Sequence, residues 1–294
     1  MTDEPVCQDT SQAFRIVKMK AAAPNIYEMV IEAPIIARKV EPGQFVILIP
    51  DETGERVPFT ISDWDTDNGT ITIFFQETGV STMKMACMKE GDVLVSVVGP
   101  LGKPAEIEKY GTVFLGGGCY GIGGIFPIAR ALKEAGNKVI ISIEARSKYL
   151  LYNLENLGSV ADELIMSTSD GSTEHKGKIH NIIQMLLDRG EKIDRAHFMG
   201  CNFMLMISSE ATRPQKIPTR VALNALMVDG TGMCGCCRCT VEGKTKYACV
   251  DGPEFDGHQV DWDELFARGA HYLGDESIAY QFYGQRSCKM DMDD

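Results

Sequence analysis

The spacing of apolar residues changes once along this chain of 294 residues, close to Gly111. From Phe14 to about Pro104, short runs alternate apolar and polar residues and are separated by turn sequences such as Glu41–Gly43 and Asp67–Gly69. Alternation with a period of two is typical of strands that bury one face. The pattern therefore predicts an antiparallel β-barrel or sandwich, interrupted by one helix near Ser81–Lys89.

Beyond Gly111 the pattern becomes a strand, a glycine-rich turn, a helix and a second strand, and this alternation repeats as far as Leu223. Strands that alternate with helices pair in parallel and carry helices on both faces of the sheet. We expect a doubly wound parallel-sheet domain here. The remainder, residues 224–294, is too short for an independent core, so we expect something other than apolar burial to order it.

Cysteines are concentrated in that last segment, because five of the ten fall between residues 234 and 249. Asp229 stands five residues before Cys234, Cys237 completes a C-x2-C pair, and Cys249 follows after eleven further residues. Plant-type two-iron ferredoxins space their ligands as C-x4-C-x2-C with a distant fourth cysteine, so Asp229 occupies the first ligand position. The glycines that permit such a tight loop are Gly230, Gly232 and Gly235.

Two alternatives remain open for this segment. Cys236 and Cys239 form a second C-x2-C pair, and two such pairs suffice for a structural zinc site. Reduced cysteines without metal are the other alternative, since a reducing compartment disfavours disulfides. If Asp229 is a ligand, its hard oxygen should alter the reduction potential and the lability of a cluster.

The glycine-rich turn after the first parallel strand formally satisfies G-x-G-x-x-G through Gly116, Gly118 and Gly121. Such a turn brings backbone N–H groups close to a pyrophosphate, although a purely structural turn has the same composition. Glu144 is the nearest candidate for a ribose-binding acid. Arg146 and Lys148 would equally suit a 2′-phosphate, so the residues leave NAD and NADP both open.

Two short motifs in the first domain suit a flavin. Arg56–Ser62 places a cation, an aromatic ring and a hydroxyl on one strand, and Gly79–Thr82 precedes a helix and could hold a diphosphate. Each motif alone is more often simply a strand or a capped helix. Their occurrence together, ahead of a nucleotide-binding pattern, favours flavin.

Charge and hydropathy exclude other classes of function. The net charge is −12, which disfavours binding to a nucleic-acid backbone. No apolar run approaches the roughly 18 residues of a membrane span. The acidic, polar first residues do not resemble a secretory signal, and we expect a cytoplasmic protein.

The order of these motifs resembles the ferredoxin-NADP reductase superfamily. Within it, the chain is similar to electron-transfer subunits of dihydroorotate dehydrogenase, and more closely to the small (alpha) subunits of electron-bifurcating, sulfide dehydrogenase-like NADH-dependent ferredoxin:NADP oxidoreductases. Val221–Arg238 and Ala248–Trp262 carry the closer resemblance. The bifurcating family places Asp where the dihydroorotate relatives have Cys.

The resemblance implies a β-barrel FAD-binding domain (1–105), an NAD(H)-binding α/β domain (106–223), and a [2Fe-2S] segment with a C-terminal tail (224–294). It implies that the cluster ligands are Asp229, Cys234, Cys237 and Cys249. The implied FAD contacts are Arg56, Pro58, Phe59, Thr60, Gly79, Ser81 and Thr82, although Arg56 stands one residue earlier than the usual arginine. The implied NAD(H) contacts are Gly117, Gly118, Gly121, Ile122 and Arg146.

The implied activity is electron transfer between NAD(H), FAD and the [2Fe-2S] cluster, without an acid or base residue. The implied partner is a larger subunit with another FAD and [4Fe-4S] clusters, where bifurcation itself occurs. One alternative is the electron-transfer subunit of dihydroorotate dehydrogenase or of a related reductase such as anaerobic sulfite reductase. An alternative of another class is a zinc-stabilised redox-sensing module without turnover.

Overall fold

The computed structural model describes residues 14–290, with side chains from 14 to 283. Cys7 and the side chain of Cys288, two of the scattered cysteines, lie outside the described residues. The first part of the chain forms β1 (Phe14–Ala23), β2 (Ile26–Glu32), α1 (Pro34–Ala37), β3 (Phe45–Ile49), β4 (Val57–Asp65), β5 (Thr70–Gln76), α2 (Val80–Ala86), β6 (Val93–Leu94) and β7 (Ser96–Leu101).

These seven strands pair antiparallel in the order β6-β1-β2-β5-β4-β3-β7 and form a nearly closed barrel around a core that includes Met29, Ile31 and Ile73. The run Val93–Val98 reads as one strand in the sequence, but it divides at Val95. Its first half pairs with β1 and its second half with β3, at the opposite edge of the sheet. This change of edge brings the two ends of the sheet together and confirms the predicted barrel.

The second part of the chain forms β8 (Thr112–Gly118), α3 (Gly121–Glu134), β9 (Lys138–Ala145), α4 (Leu154–Val160), β10 (Glu163–Thr168), β11 (His175–Lys176), α5 (Ile179–Asp188), β12 (Arg195–Met199), α6 (Asn202–Thr212) and β13 (Thr219–Ala222). The strand order is β11-β10-β9-β8-β12-β13, and every pairing among them is parallel. One core contains the apolar faces of α3 and α4, and a second contains those of α5 and α6. Helices thus cover both faces of the sheet, which confirms the doubly wound domain.

The last part forms β14 (Arg238–Val241), β15 (Lys244–Tyr247), α7 (Ala248–Asp251), β16 (Glu254–Asp256), α8 (Trp262–Gly269) and α9 (Leu273–Met290). β16 pairs antiparallel with β13 and extends the second sheet. Cys249, Phe255 and Trp262 are buried in the same core as Phe198. The expectation that something other than apolar burial must order this segment is therefore wrong, because its side chains share the core of the preceding domain. The division at residues 105 and 223 stays a prediction.

Helix α3 packs directly against the barrel. A Cβ at Gly124 would lie 3.2 Å from Cγ2 of Thr60, and Arg130 forms an ion pair with Asp63 at 2.8 Å. These contacts hold α3 beside β4 along much of the helix. Within residues 14–290, none of the helices combines the length and apolar character needed to cross a membrane.

Candidate functional site

A cavity of about 210 Å³ lies where the three parts of the chain meet. Aromatic residues from the barrel form much of its wall, and Thr60 and Thr82 also line it. A mostly apolar cavity with a few convergent polar groups suits a planar aromatic ligand. The contributors are Phe45, Pro58, Phe59, Phe74 and Phe75 from the barrel, Tyr120, Met199 and Gly200 from the parallel-sheet domain, and Asn224, Ala225, Met227 and Pro253 from the last part.

A second cavity, of about 590 Å³, adjoins the first and shares Val57, Thr78 and Thr82 with it. Gly79 and Ser81 line this second cavity. The Thr82 hydroxyl accepts the N–H of Gly79 at 2.9 Å and donates to its carbonyl at 2.9 Å, which fixes the turn before α2. The structure therefore brings most of the predicted flavin contacts to two connected spaces.

Arg56 lies apart from this group. The described residues that line the two cavities do not include Arg56. Its guanidinium donates to the carbonyls of Val228 at 2.5 Å and Asp229 at 3.4 Å. A contact between Arg56 and FAD stays a prediction, whereas its contact with the cysteine-rich loop is a feature that sequence patterns do not show.

The predicted nicotinamide residues Gly117, Gly118, Gly121 and Ile122 are buried beneath the turn. A Cβ at Gly121 would lie 2.1 Å from the carbonyl oxygen of Met199, so only glycine permits this close packing. That packing is the structural reason for glycine here, and the nucleotide contacts of these four residues stay a prediction.

Two tyrosines that the sequence analysis did not select hold this turn in place. The buried Tyr152 hydroxyl accepts the N–H of Gly123 at 3.2 Å and lies 3.0 Å from the carbonyl of Cys119. Tyr120 donates to the carbonyl of Gly200 at 3.0 Å. Tyr152 reaches the turn from a different segment, so no local motif could have identified it.

Glu144 is the penultimate residue of β9 and lies beside Gly118, just before the same turn. One carboxylate oxygen accepts the N–H of Ile179 at 2.6 Å, at the start of α5. Burial raises the pKa of this carboxyl above its ordinary value. Arg146, two residues further on, is exposed.

The cysteine-rich loop folds back so that Asp229 contacts the backbone near Cys234 and Cys237 contacts Cys249. The carboxylate of Asp229 accepts the N–H groups of Thr231 at 2.7 Å and Cys234 at 2.8 Å. The sulfurs of Cys237 and Cys249 lie 3.1 Å apart and are buried. Backbone φ angles are positive at Gly230, Gly232 and Gly235, as the predicted tight loop requires.

The cysteines of this loop have different electrostatic environments. The backbone N–H of Cys236 stabilises the Cys234 thiolate and lowers the pKa of that thiol. Burial raises the pKa of Cys249 to about 12. Burial likewise raises the pKa of Cys239 to about 12, and its thiol faces the carbonyl of Lys246. Cys239 is therefore a core residue that packs beneath the loop.

A single ion such as zinc needs four donors that converge on one point. Within the described residues, no three His, Cys, Asp or Glu side chains are arranged to hold one metal ion. The choice between a two-iron cluster and zinc stays a prediction.

Comparison with known proteins agrees with this geometry. Residues 224–261 match the iron-sulfur cluster binding domain of dihydroorotate dehydrogenase B. The chain is 42% identical, over 90% of its length and 94% of the relative, to a Thermotoga maritima homolog of the dihydroorotate dehydrogenase B (NAD(+)) electron transfer subunit. The chain belongs to this family. A Clostridium beijerinckii protein from the adh 3′ region is another relative, with 43% identity over 90% of this chain and 93% of that protein.

A solved structure of an NADH-dependent reduced ferredoxin-NADP oxidoreductase, reported for its insights into flavin-based electron bifurcation, is also similar. It shares 41% identity with a TM-score of 0.87, over 92% of this chain and 97% of that chain. The resemblance found from sequence motifs is thus confirmed. As a member of the electron transfer subunit family, the chain is a subunit of a flavin- and iron–sulfur-dependent oxidoreductase.

Proposed function

We propose that this chain carries electrons between NAD(H) and a larger partner subunit by way of FAD and a [2Fe-2S] cluster. The partner would hold a second FAD and [4Fe-4S] clusters and would carry out bifurcation. The observation that supports this proposal is the cavity whose wall combines Phe59 of the barrel, Gly200 of the parallel-sheet domain and Met227 of the last part. A group in this cavity touches all three units.

Bound FAD would exchange hydride with the nicotinamide and single electrons with the iron–sulfur cluster. The residues of the chain position the groups and exclude water. Phe59 and Phe75 provide apolar surface for a flat ring, and the Thr60 hydroxyl supplies a hydrogen-bonding group at its edge. Proton transfer by a side chain is not required for hydride exchange.

The cluster loop begins at the wall of this cavity. Met227 lines the cavity, and Asp229 follows two residues later. We assign Asp229, Cys234, Cys237 and Cys249 as the residues that would hold the cluster, because the loop brings the Cys237 and Cys249 sulfurs together and the Asp229 carboxylate to the backbone of Cys234. Thiol ligands must lose their protons to bind metal, so cluster assembly would deprotonate the buried Cys249.

Anaerobic reconstitution tests the cofactor assignment. We expect one FAD and two irons per chain, an electron paramagnetic resonance signal on reduction, and NADH-dependent dye reduction that is lost when FAD is removed. Cys234→Ser should abolish the signal. Cys236→Ser is the matched control, since it alters a neighbouring cysteine outside the ligand set, and it should keep the signal. Zinc in place of iron, or dye reduction without flavin, would contradict the proposal.

A second candidate is supported by the family match, because more distant relatives are electron transfer subunits of dihydroorotate dehydrogenase B. The Enterococcus faecalis protein shares 29% identity over 86% of this chain and 99% of that protein. Two points favour the first candidate: the sequence resemblance associates Asp229 with the bifurcating family, and the chain is 41% identical to the bifurcating oxidoreductase against 29% to the Enterococcus faecalis subunit. Purification from the native host discriminates them, since the chain would be isolated with either a two-flavin iron–sulfur subunit or an orotate-forming one.

A further inference from the structure

The C-terminal helix α9 forms one wall of the second cavity. Glu55 and the turn residues Gly79 to Thr82 line the barrel side, and the facing side consists of Leu273, Glu276, Ser277, Ala279, Tyr280 and Gln281 of α9. Tyr283 on the same helix is half-buried, and burial raises the pKa of its hydroxyl. The helix also contacts α2, and its side chains from Leu273 to Phe282 are exposed.

The chemistry of this wall suits a neutral, hydroxyl-bearing aromatic ligand. Among the described residues that line the cavity there is no lysine or arginine, whereas Glu55 and Glu276 supply carboxylates. The carboxylate of Glu276, on the α9 side of the cavity, can accept hydrogen bonds from ribose hydroxyls. Tyr280 lines the cavity with 44% of its surface exposed, so its ring is available for stacking on a base.

The position of the cavity indicates which ligand this is. The second cavity shares Val57, Thr78 and Thr82 with the aromatic-walled cavity to which we assign the flavin ring. A dinucleotide whose ring occupies the first cavity extends its other end into the second. Apolar side chains of α9, such as Leu273 at 55% exposure, would lose water contact when that end is bound.

We propose that α9 completes the FAD site by enclosing the adenosine half, with Tyr280 against the adenine and Glu276 accepting from the ribose hydroxyls. This inference rests on the proposed function, because it takes FAD as the ligand. It assigns a binding role to the tail that follows the cluster segment, and it predicts that the chain distinguishes FAD from FMN through this helix.

The experiment compares FAD and FMN binding to the full-length, cluster-loaded chain by flavin fluorescence. Tyr280→Ala should weaken FAD binding at least fivefold or so, as expected for loss of one stacked base, and leave FMN binding unchanged. Tyr280→Phe keeps the ring and should bind FAD normally. Phe282→Ala is the matched control, because Phe282 is 64% exposed on the same helix and lies outside the cavity wall.

Unchanged FAD affinity in Tyr280→Ala would overturn the inference while leaving the proposed function intact. Equal weakening of FAD and FMN would also overturn it, since the effect would then not depend on the adenosine half. Failure of the unaltered chain to bind either flavin would overturn the proposed function itself and, with it, this inference. The cluster signal reports in every variant that the fold is preserved.

Discussion

The guanidinium of Arg56 donates through Nε to the backbone carbonyl of Val228 at 2.5 Å, across 172 positions of the chain. Arg56 directly precedes β4, the strand that carries Phe59 and Thr60 to the cavity. Val228 directly precedes Asp229, the first predicted cluster ligand. One side chain therefore joins the wall of the candidate flavin cavity to the start of the cluster loop.

Arg56→Gln should loosen this loop without disturbing the cavity. Loss of a charged hydrogen-bond donor at a half-buried position costs on the order of 1 kcal/mol, so we expect chelators to remove the cluster roughly fivefold faster. Stopped-flow bleaching of the cluster measures the rate. Arg15→Gln is the matched control, because Arg15 donates to the carbonyl of Gly91 at the surface. Equal rates in both variants would contradict a role for Arg56.

Gly230→Ala should destabilise the cluster loop in two ways, through an unfavourable backbone angle and through a steric clash with the barrel. The φ angle is +78°, and an added Cβ would lie 2.6 Å from Cδ1 of Ile47 and 2.7 Å from Cδ1 of Leu101. Gly243 has a φ of +69° with no atom within 4 Å of an added Cβ, so Gly243→Ala carries the backbone cost only.

We expect Gly243→Ala to lower the free energy of unfolding by about 1–2 kcal/mol, and Gly230→Ala by a further 1–3 kcal/mol or so. Chemical denaturation with iron analysis checks both values. If both variants lose the same free energy of unfolding, the close contact of Gly230 with Ile47 and Leu101 adds no cost, and the prediction is contradicted.

Tyr152→Phe should weaken the nicotinamide turn and leave the flavin cavity unaffected. The variant leaves the buried N–H of Gly123 without its partner, which costs roughly 1–2 kcal/mol. We expect lower thermal stability and a raised KM for NADH, with unchanged FAD affinity. Tyr149→Phe, at a tyrosine that is 66% exposed, should change neither quantity. An unchanged KM for NADH in Tyr152→Phe would show that the Tyr152 hydroxyl does not contribute to nucleotide binding.

Glu144→Gln should alter how stability depends on pH. Burial raises the pKa of Glu144 in the folded chain, so the folded state favours the protonated carboxyl. Its contribution to stability is therefore present below the unfolded pKa and is lost as pH rises through the folded pKa. The amide keeps an acceptor for the Ile179 N–H without carrying a charge.

We therefore expect Glu144→Gln to melt at a higher temperature than the unaltered chain at about pH 7.5, with the difference vanishing near or below about pH 4. Glu174→Gln, at an exposed position, is the control. A difference that stays constant across this range would show that desolvation of the carboxylate is not its cause.

Local patterns were sufficient to predict most elements of this fold. The periodicity of the stretch Ile179–Asp188 gives a helix with those bounds, because one helical face is apolar over its whole length. The division of Val93–Val98 between two sheet edges and the addition of β16 to the second sheet were not predictable in this way. Strand pairing depends on partners distant in sequence, and periodicity carries no information about them.

The candidate site, too, was predictable from the sequence only in part. The spacing of Asp229, Cys234, Cys237 and Cys249 suggested the cluster from sequence alone, because ligands drawn from one tight loop must keep a fixed spacing. Only the tertiary structure decided that Arg56 contacts this loop, that Tyr152 holds the glycine turn, and that α9 lines the second cavity. Those contacts join segments far apart in the chain, and their geometry is set by how the barrel and the parallel sheet pack together.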